Sequence, residues 1–162
     1  MRTRKERDDA EDLNDLFMRK VWEKTSLFIL LERRGLFSVL DYDAVTRDGR
    51  KAVIESKVRT SDVFKYDRIF IEENKYDALR YEWAGGTLPL YFNFFQTADE
   101  LLIWDMRKYF DGTLPEPERV LVDIDNRKCY DRVDYGVARY MLPTWDAIYY
   151  RFNQVKGKYE RI

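Results

Sequence analysis

LDYDAVTRDGRKAVIESKVR, residues 40–59, decides how this chain folds. Apolar and β-branched residues flank TRDGR, whose Asp48-Gly49 pair is a strong signal for a tight hairpin turn. LFSVLDYDAV and KAVIESKV therefore read as two antiparallel strands. Side chains alternate along a strand, so Asp41 and Asp43 share a face, as do Glu55 and Lys57. With the strands paired across the turn, both faces can point the same way. Three carboxylates and an ammonium then crowd one patch. Carboxylates gathered in this way repel one another unless a cation sits among them. A divalent ion with two carboxylates and several waters is the usual magnesium arrangement. An ammonium beside it can orient a water or stabilise developing negative charge. The plain alternative is an exposed hairpin face carrying paired charges.

Outward from the hairpin, residues from about Asp9 to Arg34 follow a helical pattern. Leu13, Leu16, Phe17 and Val21 keep a 3.6-residue period that SLFILLERRG continues, and Gly35 is a natural stop with Arg33 and Arg34 in the last turn. On the other side, RTSDVFKYDR reads as a loop. A second helix is expected from roughly Glu72 to Ala84, with Tyr76, Leu79 and Trp83 on one face and Gly85-Gly86 at its end. LPLYFNFF is a nearly continuous apolar run, as in a strand covered on both sides, and ELLIWDM is its neighbour across QTAD. Weaker strand signals follow in VLVDID and VARYML, and a short C-terminal helix is expected through TWDAIYYRF. The expected fold is one α/β domain over residues 1–162. Its core spans about residues 9–106 and a C-terminal elaboration about 107–162.

Composition narrows the chemistry. The 162 residues contain no histidine, which excludes histidine bases, histidine zinc sites and Ser-His-Asp triads together. A single cysteine, Cys129, excludes an internal disulfide and a four-cysteine zinc site, and suits a reducing cytosol. A resident metal would be hard and held by oxygens: magnesium, manganese or calcium. No apolar run approaches the roughly 18 residues of a membrane span, and MRTRKERDDAEDLNDL lacks the apolar middle of a signal peptide. The expected location is the cytoplasm, or a host's cytoplasm for a phage-encoded protein. The net charge of −1 gives no global pull on nucleic acid, although MRTRKER, SKVRTSDVFKYDR and VKGKYERI are locally basic.

YDAV, a glycine turn and VIESK together resemble the PD-(D/E)xK nuclease superfamily, which includes restriction enzymes and Holliday-junction resolvases. Its signature is an acid ending one strand, then Glu-x-Lys on the next. Asp43 matches the first acid, and Glu55-Ser56-Lys57 matches the second element. The proline usual before the first acid is replaced by LDYD, which leaves Asp41 open beside the favoured Asp43. The resemblance covers roughly Val21 to Phe95. It implies a restriction-endonuclease-like fold, a central mixed sheet flanked by helices, and Mg2+-dependent hydrolysis of phosphodiester bonds, in DNA first of all, with Mn2+ able to substitute. Asp43, Glu55 and the backbone carbonyl of Ser56 would hold the metal. Lys57 would position the attacking water. Glu23 on the preceding helix would support the site, with Glu32 a competing choice, and Lys75 on the following helix would contact the scissile phosphate.

Arg59, Lys65 and Arg68 are the candidate nucleic-acid contacts, and Tyr66, Tyr149 and Tyr150 the better stacking candidates. Asp123 and Asp125 form a second alternating acid pair with no lysine beside it. The alternative is a catalytically inactive domain of the same fold that binds nucleic acid or protein in a phage or repair assembly. A homo-oligomer or a larger assembly is compatible with both.

Overall fold

A computed structural model describes residues 3–122 and 137–162. The acid pair Asp123 and Asp125 and the lone Cys129 lie outside the described residues. The architecture is α/β, with a large mixed sheet, a smaller second sheet and helices on both faces of the large one. Helix α1 (Arg4–Lys24) is followed by strands β1 (Phe28–Arg33), β2 (Tyr42–Thr46), β3 (Lys51–Arg59) and β4 (Arg68–Glu72), then helix α2 (Glu73–Ala84). Strands β5 (Leu88–Phe95) and β6 (Glu100–Asp105), the short helix α3 (Arg107–Phe110), and strands β7 (Glu118–Val122), β8 (Val137–Pro143), β9 (Ile148–Asn153) and β10 (Lys158–Arg161) complete it. The large sheet runs β1-β2-β3-β5-β6-β9-β10, and β4-β8-β7 form the small one.

The hairpin forms as its turn chemistry requires. β2 pairs antiparallel with β3, Asp43 opposite Val53, and Gly49 takes the positive φ of 86° that the turn needs. β3 then pairs in parallel with β5, the crossover between them carrying α2. That parallel pair is buried on both faces. Val53, Tyr91 and Phe95 pack towards α2 with Tyr76, Leu79, Leu102 and Trp104. Ile54, Phe92 and Phe94 pack towards α1 with Met18 and Val21. Glu55 shares the Val53 side of β3, so it looks into the layer beneath α2.

Four segments differ from the sequence expectation, the first being LFSVL of the expected first hairpin strand, which is a loop, with β2 starting only at Tyr42. SLFILLERRG does not prolong α1: the helix ends at Lys24, where Thr25 is extended and both its amide and hydroxyl bond the Val21 carbonyl. Phe28–Arg33 is instead edge strand β1. A short apolar run has no periodicity that separates strand from helix. TWDAIYYRF forms a 3₁₀ turn at Thr144–Asp146 and then strand β9, which pairs with β6. Its Ile148-Tyr149-Tyr150 run favours a strand once a sheet edge is there to receive it. The end of RTSDVFKYDR opens strand β4 of the small sheet. Within α1, Leu16 is exposed, and the buried stripe is Met18 and Val21 with Phe17 stacked on Phe94. Among the described residues, no helix is long and apolar enough to cross a membrane.

Candidate functional site

Asp41, immediately before β2, is bound into the β3 strand. Its amide donates to the Ile54 carbonyl, and its carbonyl accepts from the Arg34 amide. Its carboxylate Oδ2 accepts from the Ser56 amide at 2.9 Å and the Ser56 hydroxyl at 3.1 Å. That hydroxyl in turn accepts from Asn14 Nδ2 of α1 at 2.6 Å. Asn14 Oδ1 is buried and has no hydrogen-bond partner among the described residues. Asp41 Oδ1 takes no hydrogen bond from the described residues either. Two acceptors near one strand thus have free lone pairs, which is where a cation or water bonds.

Glu55 is the most deeply buried acid of the group, at 3 % exposure. Its Oε2 meets Lys75 Nζ of α2 at 3.0 Å, and the same ammonium bonds the Val39 carbonyl. Burial, chiefly, and then the charge of Asp41 push the Glu55 carboxyl up to about 8, against the pull of Lys75 and Lys57. Desolvation outweighs the two lysines, so without a further cation the carboxyl keeps its proton through neutral pH. Lys57, two residues along β3 and half-buried, has its Nζ 3.8 Å from Glu72 at the start of α2. A cavity of about 180 Å³ opens beside the group, lined by Asp41, Lys75, Asn14, Glu11, Ser38 and Leu40 among others.

The remaining expected residues fall elsewhere. Asp43 is exposed and engages Arg34 instead of this group. It takes two hydrogen bonds from that guanidinium, at 2.9 and 2.7 Å, and Arg34 also bridges to Glu82. Those two acids together hold the Arg34 guanidinium above its ordinary pKa, the Asp43 hydrogen bonds most of all. Asp41, left open by the sequence, is the acid beside Glu55. Glu23 is exposed near the end of α1, nine residues and about 13 Å of helix beyond Asn14, the α1 residue that reaches β3. Glu32 lies on β1 opposite Asp43 and is exposed.

Of the expected nucleic-acid contacts, Arg59 is embedded. It donates to Asn93 Oδ1 at 2.7 Å, the Tyr91 hydroxyl and the Phe70 carbonyl, and its guanidinium lies 4.7 Å from the Phe70 ring centroid. Arg68 pairs with Glu118 at 2.6 Å. Lys65 is exposed beside the ring of Tyr66, itself 54 % exposed. Tyr149 bonds Glu100 and carries Phe64 edge-on, which leaves it part of a packed cluster.

Asn14 and Glu72 are the site residues that sequence reasoning missed. Asn14 had a signal: it lies four and seven residues before Met18 and Val21, a polar side chain on the buried stripe. Glu72 had none. Among the described residues, no three Asp, Glu, Cys or His side chains gather as a ready metal cage. The donors that an ion could use here are fewer: the carboxylates of Asp41 and Glu55, a backbone carbonyl and water, hard donors of the kind magnesium takes. Comparison with known proteins finds no family model that matches the chain and no match among curated proteins.

Proposed function

We propose that the chain is a metal-dependent nuclease of the PD-(D/E)xK type, with a restriction-endonuclease-like core, that hydrolyses phosphodiester bonds in DNA using Mg2+ or Mn2+. The observation that carries this is the buried Glu55 carboxylate. It sits on β3 next to Asp41, two residues from Lys57, and its neighbours Asp41 and Lys75 line an open polar cavity. A buried acid whose pKa is raised by burial and a neighbouring carboxylate, beside a cleft, is the kind of group that functional sites are built on. The order α1, β1-β2-β3, β4, α2 and β5, with β3 and β5 parallel and β4 in the small sheet, supports the fold assignment, since it provides helices before and after the Glu-x-Lys strand.

In this proposal Asp41 and Glu55, with the Ser56 backbone carbonyl, hold the ion. Bound there, magnesium polarises a phosphoryl oxygen and lowers the pKa of a water. Asn14 and the Ser56 hydroxyl fix the Asp41 carboxylate from behind. Lys57 orients the attacking water and offsets charge that develops on the phosphate. Lys75, at the cavity wall, meets the phosphate itself. Asp43 and Glu23 have no part in it, and Arg59 supports the sheet rather than the DNA.

One observation favours the second reading, an inactive domain of this fold that binds nucleic acid or protein in a phage or repair assembly. Lys75 already gives Glu55 a partner, so the carboxyl is satisfied without a metal. A cleavage assay on linear, circular and branched DNA decides between them, run with Mg2+, Mn2+, Ca2+ and chelator. The nuclease cuts with Mg2+ or Mn2+, binds without cutting in Ca2+, and stops in chelator. Binding without cleavage under every metal overturns the nuclease proposal in favour of the second.

A further inference from the structure

The end of β3 away from Glu55 opens on a different cleft. A cavity of about 400 Å³ lies where the β2–β3 turn, the end of α2 and the start of α3 meet, and three cations line it: Arg50, Lys51 and Arg107. Among the described residues no aspartate or glutamate lines it. Trp83 and Leu88 form its apolar wall, and the Gly85-Gly86 pair between them brings no side chain into the space. The cations are free to different degrees. Lys51 is exposed and makes no ion pair or side-chain hydrogen bond with the described residues. Arg50 meets Asp48 at 3.4 Å with both side chains more than half exposed, a pair that solvent keeps weak. Arg107 is anchored on Asp105 through Nε and Nη2, which leaves Nη1 without a hydrogen-bond partner among the described residues. Both partner acids line the adjoining apolar cavity and not this one.

We propose that this cleft binds a nucleoside phosphate by its terminal phosphate monoester, with the phosphate on Lys51, Arg50 and the free edge of Arg107 and the base against Trp83. Cations that converge with no acid among them favour an anion. A phosphate monoester carries nearly two negative charges at neutral pH and has three strong acceptor oxygens, which three cationic donors can share. A bare oxyanion would occupy a small part of the cleft and leave Trp83 and Leu88 facing water. A flat base uses that wall, because every base has a face to stack on an indole. Trp83 is half-buried and braced by Phe110, with ring centroids 5.7 Å apart, so it offers a fixed surface. A free nucleotide and the phosphorylated end of a strand present the same chemistry. The cleft is separate from the Asp41–Glu55 site. Lys51 precedes Glu55 by four residues, about 13 Å of strand, and Trp83 follows Lys75 by eight, about 12 Å of helix. Binding here does not depend on the nuclease reading.

The test is a set of calorimetric titrations in chelator, with no metal at the Asp41–Glu55 site. The probes are adenosine 5′-monophosphate, adenosine and inorganic phosphate, then a short single-stranded oligonucleotide with and without a 5′-phosphate. The monophosphate binds once per chain and at least about tenfold more tightly than adenosine or phosphate, since each of those lacks either the charged hydrogen bonds or the stack. Lys51→Glu, an exposed change at the start of β3, weakens it more than about tenfold without touching the core. Trp83→Phe, which keeps a ring against Phe110, weakens it less. If only the 5′-phosphorylated strand displaces the monophosphate, the ligand is a strand end. If neither strand does, it is a free nucleotide, and both results uphold the site. Phosphate binding as tightly as the monophosphate overturns the nucleotide class. A 5′-hydroxyl strand binding as tightly as the phosphorylated one overturns the monoester. No binding, or binding that Lys51→Glu leaves unchanged, overturns the cleft.

Discussion

Replacing Glu55 with glutamine should make the metal-free protein more stable at alkaline pH while destroying the site. The carboxyl of Glu55 is raised from an ordinary 4.5 to about 8, by burial and then by Asp41. The folded state therefore holds this proton more tightly than the unfolded chain does. Its contribution to stability is fully present below pH 4.5, falls as pH rises, and is gone above about 8. An interval of about 3.5 pH units at about 1.4 kcal/mol each gives a loss of roughly 5 kcal/mol across that window. Glutamine keeps the shape and the acceptor for Lys75 but has no proton to lose. Lys75 loses its counter-ion, although its side chain is 19 % exposed and can turn to water, so the net gain at pH 9 is about 2–4 kcal/mol. In a chain of this size that is about 5–15 °C in Tm. Denaturant titrations in chelator at pH 5, 7 and 9 read it directly from tryptophan fluorescence. Saturating Mg2+ should flatten the wild-type fall, by holding the carboxylate ionised, and leave Glu55→Gln unmoved. Parallel pH dependences for the two proteins are incompatible with a buried, proton-binding Glu55, as is a glutamine variant less stable than wild type at pH 9.

Asp41→Asn should lose metal binding by calorimetry together with cleavage, whereas Asp43→Asn should keep both and cost at most about 1 kcal/mol, because its bridge to Arg34 is exposed and Arg34 retains Glu82. Equal behaviour of the two variants would remove the assignment of Asp41. Arg59→Ala should lower stability by about 2–3 kcal/mol in denaturant titrations, by stripping hydrogen bonds from Asn93, Tyr91 and the Phe70 carbonyl, with little change in the salt dependence of DNA binding. A reduced salt slope with unchanged stability would return it to the DNA surface.

The hairpin and its neighbours are legible in the sequence because their signals are local: an Asp-Gly turn, alternation around it, and a doubly apolar run that becomes the central strand β5. Glu55 and Lys57 follow from that alternation alone. Motif context favours Asp43 over Asp41, but the chain enters β2 so that Asp41 meets Ser56 and Asp43 meets Arg34. That geometry is visible only in the pairing, where the Asp41 amide bonds the Ile54 carbonyl. Glu23 enters the expected site only through the family resemblance, which places a glutamate on the helix before the core strands, and that helix is expected to run to about Arg34 whereas α1 ends at Lys24. Once Phe28–Arg33 becomes a strand, the part of α1 facing β3 shifts towards Asn14.

A lysine that acts on the reaction at a metal held by Asp41 and Glu55 has a kinetic signature, and single-turnover cleavage by Lys57→Ala reads it. With Mg2+ and DNA both saturating, a positioned ammonium matters only where charge develops, so the chemical rate should fall about 10²–10³-fold while metal and DNA affinities stay near wild type. A rate equal to wild type at saturation, or a loss confined to DNA affinity, would leave Lys57 an ordinary surface cation and remove it from the chemistry.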